Sequence, residues 1–354
     1  LLLGRFLDGK RDGQWVQWFN NGQIEIEGKY YKGKKHGQWN LWFDTGKPKE
    51  AGSFELGKVD GLYRYWFPNG HLSREENYEK GIANGKWIYW YEQDRNLEFT
   101  NGKWSYRGGT YKKEDNEELW NWWWYLNDNK EKEGYYINGE KSGSWSWWYD
   151  SGMKNSEGTY RKNQQEGLWL YYETDGSLIE EKTYSSGKLN GRSTKWQNLE
   201  NKEWEKFYKT GLLSGPSTNW NNSGYRINMT TFKKDLPQGP WIIWYLNSDQ
   251  IKEQGFHQRS TDSFTGKILS FRDGLTTSYY NDGGKEKEGY LKLNKPEGIW
   301  TYWNSKGKED FKFDYGKNLD HVGWSKIKTV DNIYFKIDND KPFTGVIADE
   351  NQDE

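Results

Sequence analysis

Gly143-Ser144-Trp145-Ser146-Trp147-Trp148-Tyr149-Asp150-Ser151-Gly152 is one copy of a unit that recurs about every 24 residues. Anchored on the glycine before the aromatic run, the unit returns at Gly13, Gly37, Gly61 and Gly85. It resumes near Leu119, then at Gly143, Gly167, Gly191, Gly215 and Gly239, and again at Gly274 and Gly298. An array of this kind grows by adding units, so the length of 354 residues does not by itself require several domains.

Inside the unit a short run such as Trp15-Val16-Gln17-Trp18-Phe19 or Trp241-Ile242-Ile243-Trp244-Tyr245 is too aromatic and too brief for a helix and reads as a strand. A turn follows, closed by glycine at Gly22, Gly46, Gly70, Gly152 or Gly176. Asn-Gly and Asp-Gly pairs there supply the positive φ of a tight hairpin. The second strand is more polar and ends on an aromatic, as at Tyr30, Phe54, Tyr78, Tyr136, Tyr160 and Tyr184. The next turn carries only Gly, Asn or Asp (Gly33, Gly57, Gly139, Asn163, Asp235, Asn294), which predicts a left-handed residue. The unit is therefore a β-hairpin. The fold class expected is all-β: an elongated, single-layer, twisted antiparallel sheet of tandem hairpins.

The period divides the chain into repeats over residues 1–91, an insertion over 92–117, repeats over 118–257, a second insertion over 258–273, repeats over 274–320, and a divergent terminal unit with an acidic tail over 321–354. Leu1-Leu2-Leu3 reads as strand rather than as the end of a signal peptide. Both ends fall within a unit, as expected of a segment of a longer array.

Composition narrows the function. The formal net charge is −1 with both signs interspersed, so nucleic acid is excluded as a default partner. With no cysteine there are no disulfides or thiolate chemistry, and no apolar run approaches a membrane span. The compartment is left open. The four histidines, His36, His71, His257 and His321, are scattered, and no phosphate loop or metal-ligand spacing occurs. No catalytic, cofactor or metal residues are assigned, and an enzyme is not expected.

These repeats resemble the MORN class, and more closely its bacterial variant labelled as YwqK-family antitoxin. The resemblance is carried by Asn138-Gly139-Glu140-Lys141-Ser142-Gly143-Ser144-Trp145, by Glu157-Gly158-Thr159-Tyr160 and by Lys34-Lys35-His36-Gly37-Gln38-Trp39. It implies a single-layer sheet with an open groove, and a scaffold that docks a protein or peptide partner. Strand parity puts Trp145, Trp147 and Tyr149 on one face and Trp148 on the other. Most rings are expected to form the core, with one row left to line the groove; the candidates are Trp15, Trp39, Trp87, Trp145, Trp147, Tyr149, Trp169, Tyr171, Trp241, Trp300 and Tyr302. Such rings also suit a glycan- or cell-envelope-binding module, the alternative reading. A free strand edge would allow end-to-end self-association. Ser193 and Ser217 stand where Trp is usual, and those two units are expected to pack less well.

Overall fold

The computed structural model describes residues 1–92, 129–198 and 200–315. Elsewhere it describes only the backbone of strands such as Glu98–Thr100, Lys103–Tyr106, Ile327–Val330 and Ile333–Lys336. Trp120 and the ring cluster at residues 122–125 lie outside the described residues. The chain divides into two units, Leu1–Lys188 and Leu189–Glu354.

In the first unit successive strands of the ladder pair antiparallel, from Leu2–Leu7 through Lys10–Trp18, Ile24–Tyr31 and Lys34–Trp42 to Pro48–Glu55, which pairs with both Lys58–Val59 and Gly61–Trp66. The strand Gly85–Trp90 pairs with Lys130–Ile137, setting Gly85 opposite Tyr136 as Gly13 lies opposite Tyr30. The two strands of the Gly85 hairpin therefore flank the first break in period, and Tyr136 closes that hairpin. In the second unit the ladder runs from Lys188–Trp196 and Lys202–Lys209 to Lys295–Trp303 and Glu309–Asp314. There the second break in period is itself a hairpin: Ile251–Thr261 extends past its partner Leu236–Trp244 and folds back through Ile268–Arg272.

The turns explain the glycine code. The loop between strands of successive units has two residues, both at positive φ: Lys32 (φ 50°) with Gly33 (φ 82°), and Asn138 (φ 51°) with Gly139 (φ 82°). This is the type I′ geometry whose twist matches paired strands. The second position goes further into left-handed space, so it takes only Gly, Asn or Asp. The other turn is longer. The Gly22 amide donates to the Phe19 carbonyl and the Phe19 amide to the Gln23 carbonyl, a type I turn closed by a left-handed glycine.

The anchor glycine is a bulge. Glu133 faces Ser146 and Tyr135 faces Ser142, so Gly134 alone opposes the three residues 143–145, with Gly143 at φ 69°. The bulge aims the Trp145 ring across the strand onto Gly134, where an added Cβ would stand 2.1 Å from the ring. The same seat is formed by Gly28 under Trp39, Gly52 under Tyr63, Gly158 under Trp169 and Gly289 under Trp300. The indole N–H then donates to the carbonyl one residue beyond: Trp39 to Lys29 at 3.1 Å, Trp145 to Tyr135 at 3.1 Å, Trp169 to Thr159 at 3.2 Å. Between successive indoles stand the aromatics that end the second strands. Tyr30 meets Trp39 edge-on at 4.9 Å, Tyr136 meets Trp145 at 5.2 Å and Tyr160 meets Trp169 at 5.0 Å. Each such pair adds about 0.5–1.5 kcal/mol beyond burial. Among the described residues this row of interlocked rings is the core of the sheet.

The two serine positions are buried: Ser193 is 1% and Ser217 7% exposed. Their cause lies one strand back. Lys206 stands where the seat glycine would be and pairs directly with Ser217. In these two units a lysine fills the seat and a serine takes the place of the indole. In sequence Lys182 occupies the corresponding place before Ser193.

Candidate binding stripe

The rings named from sequence fall into two rows with different fates. Trp15, Trp39, Trp145, Trp169, Trp241 and Trp300, all at the first aromatic position, are buried. Covered on their outer side by tyrosines and cations, they form the core and have no open face for a partner. Arg11 lies 4.7 Å over Trp15, Lys35 4.4 Å over Trp39 and Lys141 4.6 Å over Trp145. Burial pulls the Lys35 and Lys141 ammonium groups below the usual lysine range. Trp87 occupies the same position half-buried, its indole bonded to the Asn77 carbonyl at 2.9 Å. Tyr149 is held by the fold: its hydroxyl donates to the Tyr172 carbonyl of the next hairpin at 2.8 Å, as Tyr91 does to Trp148 and Tyr280 to Trp303. Tyr302 stacks on Phe311 at 4.4 Å in the second unit.

Two residues further along each strand, on the same face, a second row is half-exposed. In the first unit it contains Tyr65, Tyr89, Trp147 and Tyr171. The residues facing them on the intervening strands are charged or polar. Glu50 pairs with Tyr65, Tyr65 with Arg74, Arg74 with Tyr89, Tyr89 with Lys132, and Lys132 with Trp147. Directly opposed side chains share a face and touch, so the result is a stripe of alternating rings and charges. The Arg74 guanidinium lies 3.7 Å over the Tyr65 ring, the Lys132 ammonium 4.2 Å over Tyr89, and Lys182 5.0 Å over Tyr171.

At the centre of the stripe the repeat is broken twice. Tyr63 replaces the indole, and Glu76 replaces the seat glycine beneath Trp87. Glu76 is 4% exposed, which is tolerable only with partners. It accepts hydrogen bonds from Tyr78 at 2.7 Å and Tyr89 at 3.2 Å, and Arg74 Nε lies 3.5 Å away. The Tyr63 hydroxyl donates to Glu50 at 3.0 Å. Burial, and then the Glu50 carboxylate, push the Tyr63 phenol well above the usual tyrosine range. Burial with the Glu76 carboxylate does the same for Tyr78 and Tyr89. Beside this cluster a shallow depression of about 340 Å³ lies between Phe43, Phe67, Tyr65 and Tyr89, with Glu50 and Arg74 in its wall.

Sequence reasoning placed Trp147 and Tyr171 in the groove row but missed Tyr65, Tyr89, Arg74 and Glu76. Their signal was present: Tyr63 and Glu76 both depart from the unit's pattern at positions that are Trp and Gly in most units. Among the described residues no group of three or more His, Cys, Asp or Glu is placed to hold a metal ion, and no helix is long and apolar enough to cross a membrane.

Residues 11–32, 59–80 and 165–191 match the family model described as the MORN repeat variant. No curated protein matches the sequence. Among solved structures the chain is similar to a TcdB2-TccC3-TEV crystal structure at 11% identity, covering 85% of this chain and 17% of that one with a TM-score of 0.21. It is also similar to a TcdB2-TccC3 crystal structure at 11% identity, covering 88% of this chain and 22% of that one, TM-score 0.21. A third is a Photorhabdus luminescens Tc holotoxin pore, at 10% identity, 85% and 17% coverage and a TM-score of 0.17. The chain thus spans about a fifth of the length of these structures, and likenesses this weak carry no argument about function. MORN repeats are generally protein- or membrane-interaction repeats. The matched segments and the ladder of 24-residue hairpins identify the chain as a MORN-like repeat array.

Proposed function

We propose that this chain is a non-catalytic scaffold that binds a protein or peptide partner along the stripe of Tyr65, Tyr89, Trp147 and Tyr171. The observation that carries the reading is the contrast between neighbouring rows: the first is buried save for Trp87, whereas the second is half-buried on the same face. A row of amphipathic rings interspersed with charges suits a peptide, which offers both apolar side chains and backbone polar groups. The depression beside Phe43 and Phe67 accepts one apolar side chain of such a segment. A sugar is less well served. Carbohydrate stacking needs an open ring face, and the faces of Tyr65, Tyr89 and Tyr171 are capped by Arg74, Lys132 and Lys182.

Site-specific photocrosslinking in the source cells tests this. A benzophenone side chain at position 65, 89 or 147 is expected to capture one discrete protein, while the same group at Tyr135, exposed elsewhere on the first unit, captures none. Retention of the chain on polysaccharide, with no protein captured from the stripe, would sink the proposal in favour of an envelope-binding module.

A further inference from the structure

The second unit contains a different cluster, formed where the period breaks for the second time. His257 takes the place of the tyrosine that ends the second strand: it faces Gly239 on one side, as Tyr30 faces Gly13, and Arg272 on the other. Arg259 lies two residues further on the same strand, and so on the same face. The Arg272 guanidinium sits 4.0 Å over the Trp241 ring, and the His257 and Trp241 ring centres are 6.1 Å apart.

This corner departs from the rest of the array in how Trp241 is seated. Thr230 fills its normal place one strand back. The indole instead leans over Gly255, where an added Cβ would stand 2.8 Å from Trp241 Cζ2 and 2.9 Å from Thr276 Oγ1. The Trp241 indole N–H lacks the carbonyl bond that Trp39, Trp87, Trp145, Trp169 and Trp300 make. Trp241 Nε1, Thr276 Oγ1, His257 Nδ1 and Arg259 Nε are all buried without a hydrogen-bond partner, with Trp241 2% and Thr276 1% exposed. Buried polar atoms without partners are rare in folded proteins, and since Trp241 Nε1 and Arg259 Nε can only donate, this corner is short of an acceptor.

The charge agrees. Among the described residues Glu253 is the carboxylate in ion-pair range of the cluster, 3.6 Å from Arg272 Nη1, too long for a hydrogen bond. Among the described residues Arg259 donates to the Leu236 carbonyl alone, at 3.1 Å. Two guanidinium groups on paired strands thus have one distant counter-charge in range. Arg272 keeps 39% of its side chain exposed, so the cluster can be reached from solvent. A guanidinium stacked on an indole presents its N–H edge outward in the fork that matches a carboxylate.

We infer that the Trp241–His257–Arg259–Arg272 corner is a binding site for a carboxylate group. It lies in the second unit and does not depend on the stripe of the first. The site takes the carboxylate between the two guanidinium groups, with Trp241 as the floor. The test follows the Trp241 indole N–H signal of the full ¹⁵N-labelled chain, assigned by its loss in Trp241→Phe, during titration at constant ionic strength. The probes are succinate, the blocked peptide acetyl-Gly-Glu-Gly-amide and inorganic phosphate. A saturable shift is expected with a carboxylate probe, while the Trp169 indole, already bonded to Thr159, stays still. Tighter binding of the peptide assigns the site to an acidic protein segment, and tighter binding of succinate to a small acid. Arg272→Gln and Arg259→Gln should each weaken binding by about 10–100-fold, the loss of a charge-assisted hydrogen bond. Arg259→Gln carries the test alone if Arg272→Gln fails to fold. The inference is overturned by no saturable shift with either carboxylate, by phosphate binding more tightly than both, or by affinity unchanged in the folded arginine variants.

Discussion

Gly158→Ala is the smallest change that tests the packing rule of this array. Gly158 has no positive φ, so alanine suits its backbone and by itself would stabilise by about 0.4–1 kcal/mol through the unfolded state. The obstacle is the Trp169 ring. The new Cβ would stand 2.2 Å from Trp169 Cδ2 and 2.3 Å from Cε2, so the whole indole must lift. That ring is 2% exposed, bonded to the Thr159 carbonyl at 3.2 Å, and in edge contact with Tyr160 at 5.0 Å and Tyr184 at 6.3 Å. Lifting it weakens one hydrogen bond of about 1 kcal/mol and two ring pairs of about 0.5–1.5 kcal/mol each. Overpacking a close-packed site costs about 1–3 kcal/mol. These losses overlap, and the net expectation is a destabilisation of about 2–4 kcal/mol. The control is Trp169→Ser, which copies the natural pairing of Lys206 with Ser217. In that background Gly158→Ala should be neutral or mildly stabilising, giving a coupling energy of at least about 2 kcal/mol between the two sites. Urea unfolding followed by far-UV circular dichroism gives the cycle. Hydrogen exchange over residues 154–172 localises it, because arrays need not unfold in two states. A single-mutant effect below about 0.5 kcal/mol, or additive effects in the cycle, would refute the idea that the glycine exists to seat the ring.

Restoring the pattern should have the opposite sign. Lys206→Gly with Ser217→Trp rebuilds a seat and its ring, and is expected to stabilise the second unit by about 1–3 kcal/mol in urea unfolding, whereas Ser217→Trp alone destabilises because Lys206 still fills the space. Glu76→Leu leaves the Tyr78 and Tyr89 hydroxyls and the Arg74 guanidinium without their shared acceptor, and should cost about 3 kcal/mol; thermal unfolding unchanged from wild type would show those bonds to be dispensable. Tyr63, Tyr78 and Tyr89 have folded-state pKa values raised above the unfolded value of 10.0. Their contribution to stability is therefore complete below pH 10 and is lost as pH rises through the folded values. Phenolate absorbance should rise cooperatively with loss of sheet signal above that pH, and smooth ionisation of all 26 tyrosines near pH 10 with the sheet intact would contradict it.

The hairpin array was legible in the sequence because its determinants are local. A left-handed turn position tolerates only Gly, Asn or Asp, and Gly33, Gly139, Asn163 and Asp235 report it directly. Which aromatic was core and which exposed was less legible, because alternation along the strand gives the face and not the depth. Trp145 and Trp147 share a face, yet Trp145 is 1% exposed and Trp147 is half-exposed. The difference arises from Gly134 on the neighbouring strand, which admits the first ring and offers nothing to the second. Tyr136 was legible as the end of a second strand, but its pairing to Gly85 was out of reach, since that pairing spans the first interruption and local spacing could not supply it.

In an array of near-identical units, a residue that obeys the pattern is explained by the pattern, and information about a partner resides in the departures. Three kinds occur here. Lys206 with Ser217 departs twice and compensates, so the pair returns to a packed state and says nothing about binding. Glu76 with Tyr63 also departs twice, but the exchange buries a carboxylate and draws Arg74, Tyr78 and Tyr89 around it, fixing side chains along the half-exposed stripe. Thr230 with Thr276 departs without full compensation: Trp241 finds a new seat over Gly255 but leaves its N–H and three neighbouring polar atoms without partners. Ordered by how far each is compensated within the chain, the three run from packing, to pre-organisation of a surface, to a demand that a molecule outside the chain can meet. The last two are the positions at which a partner or ligand has energy to gain, and the carboxylate titration at Trp241 and crosslinking from positions 65 and 89 test them separately.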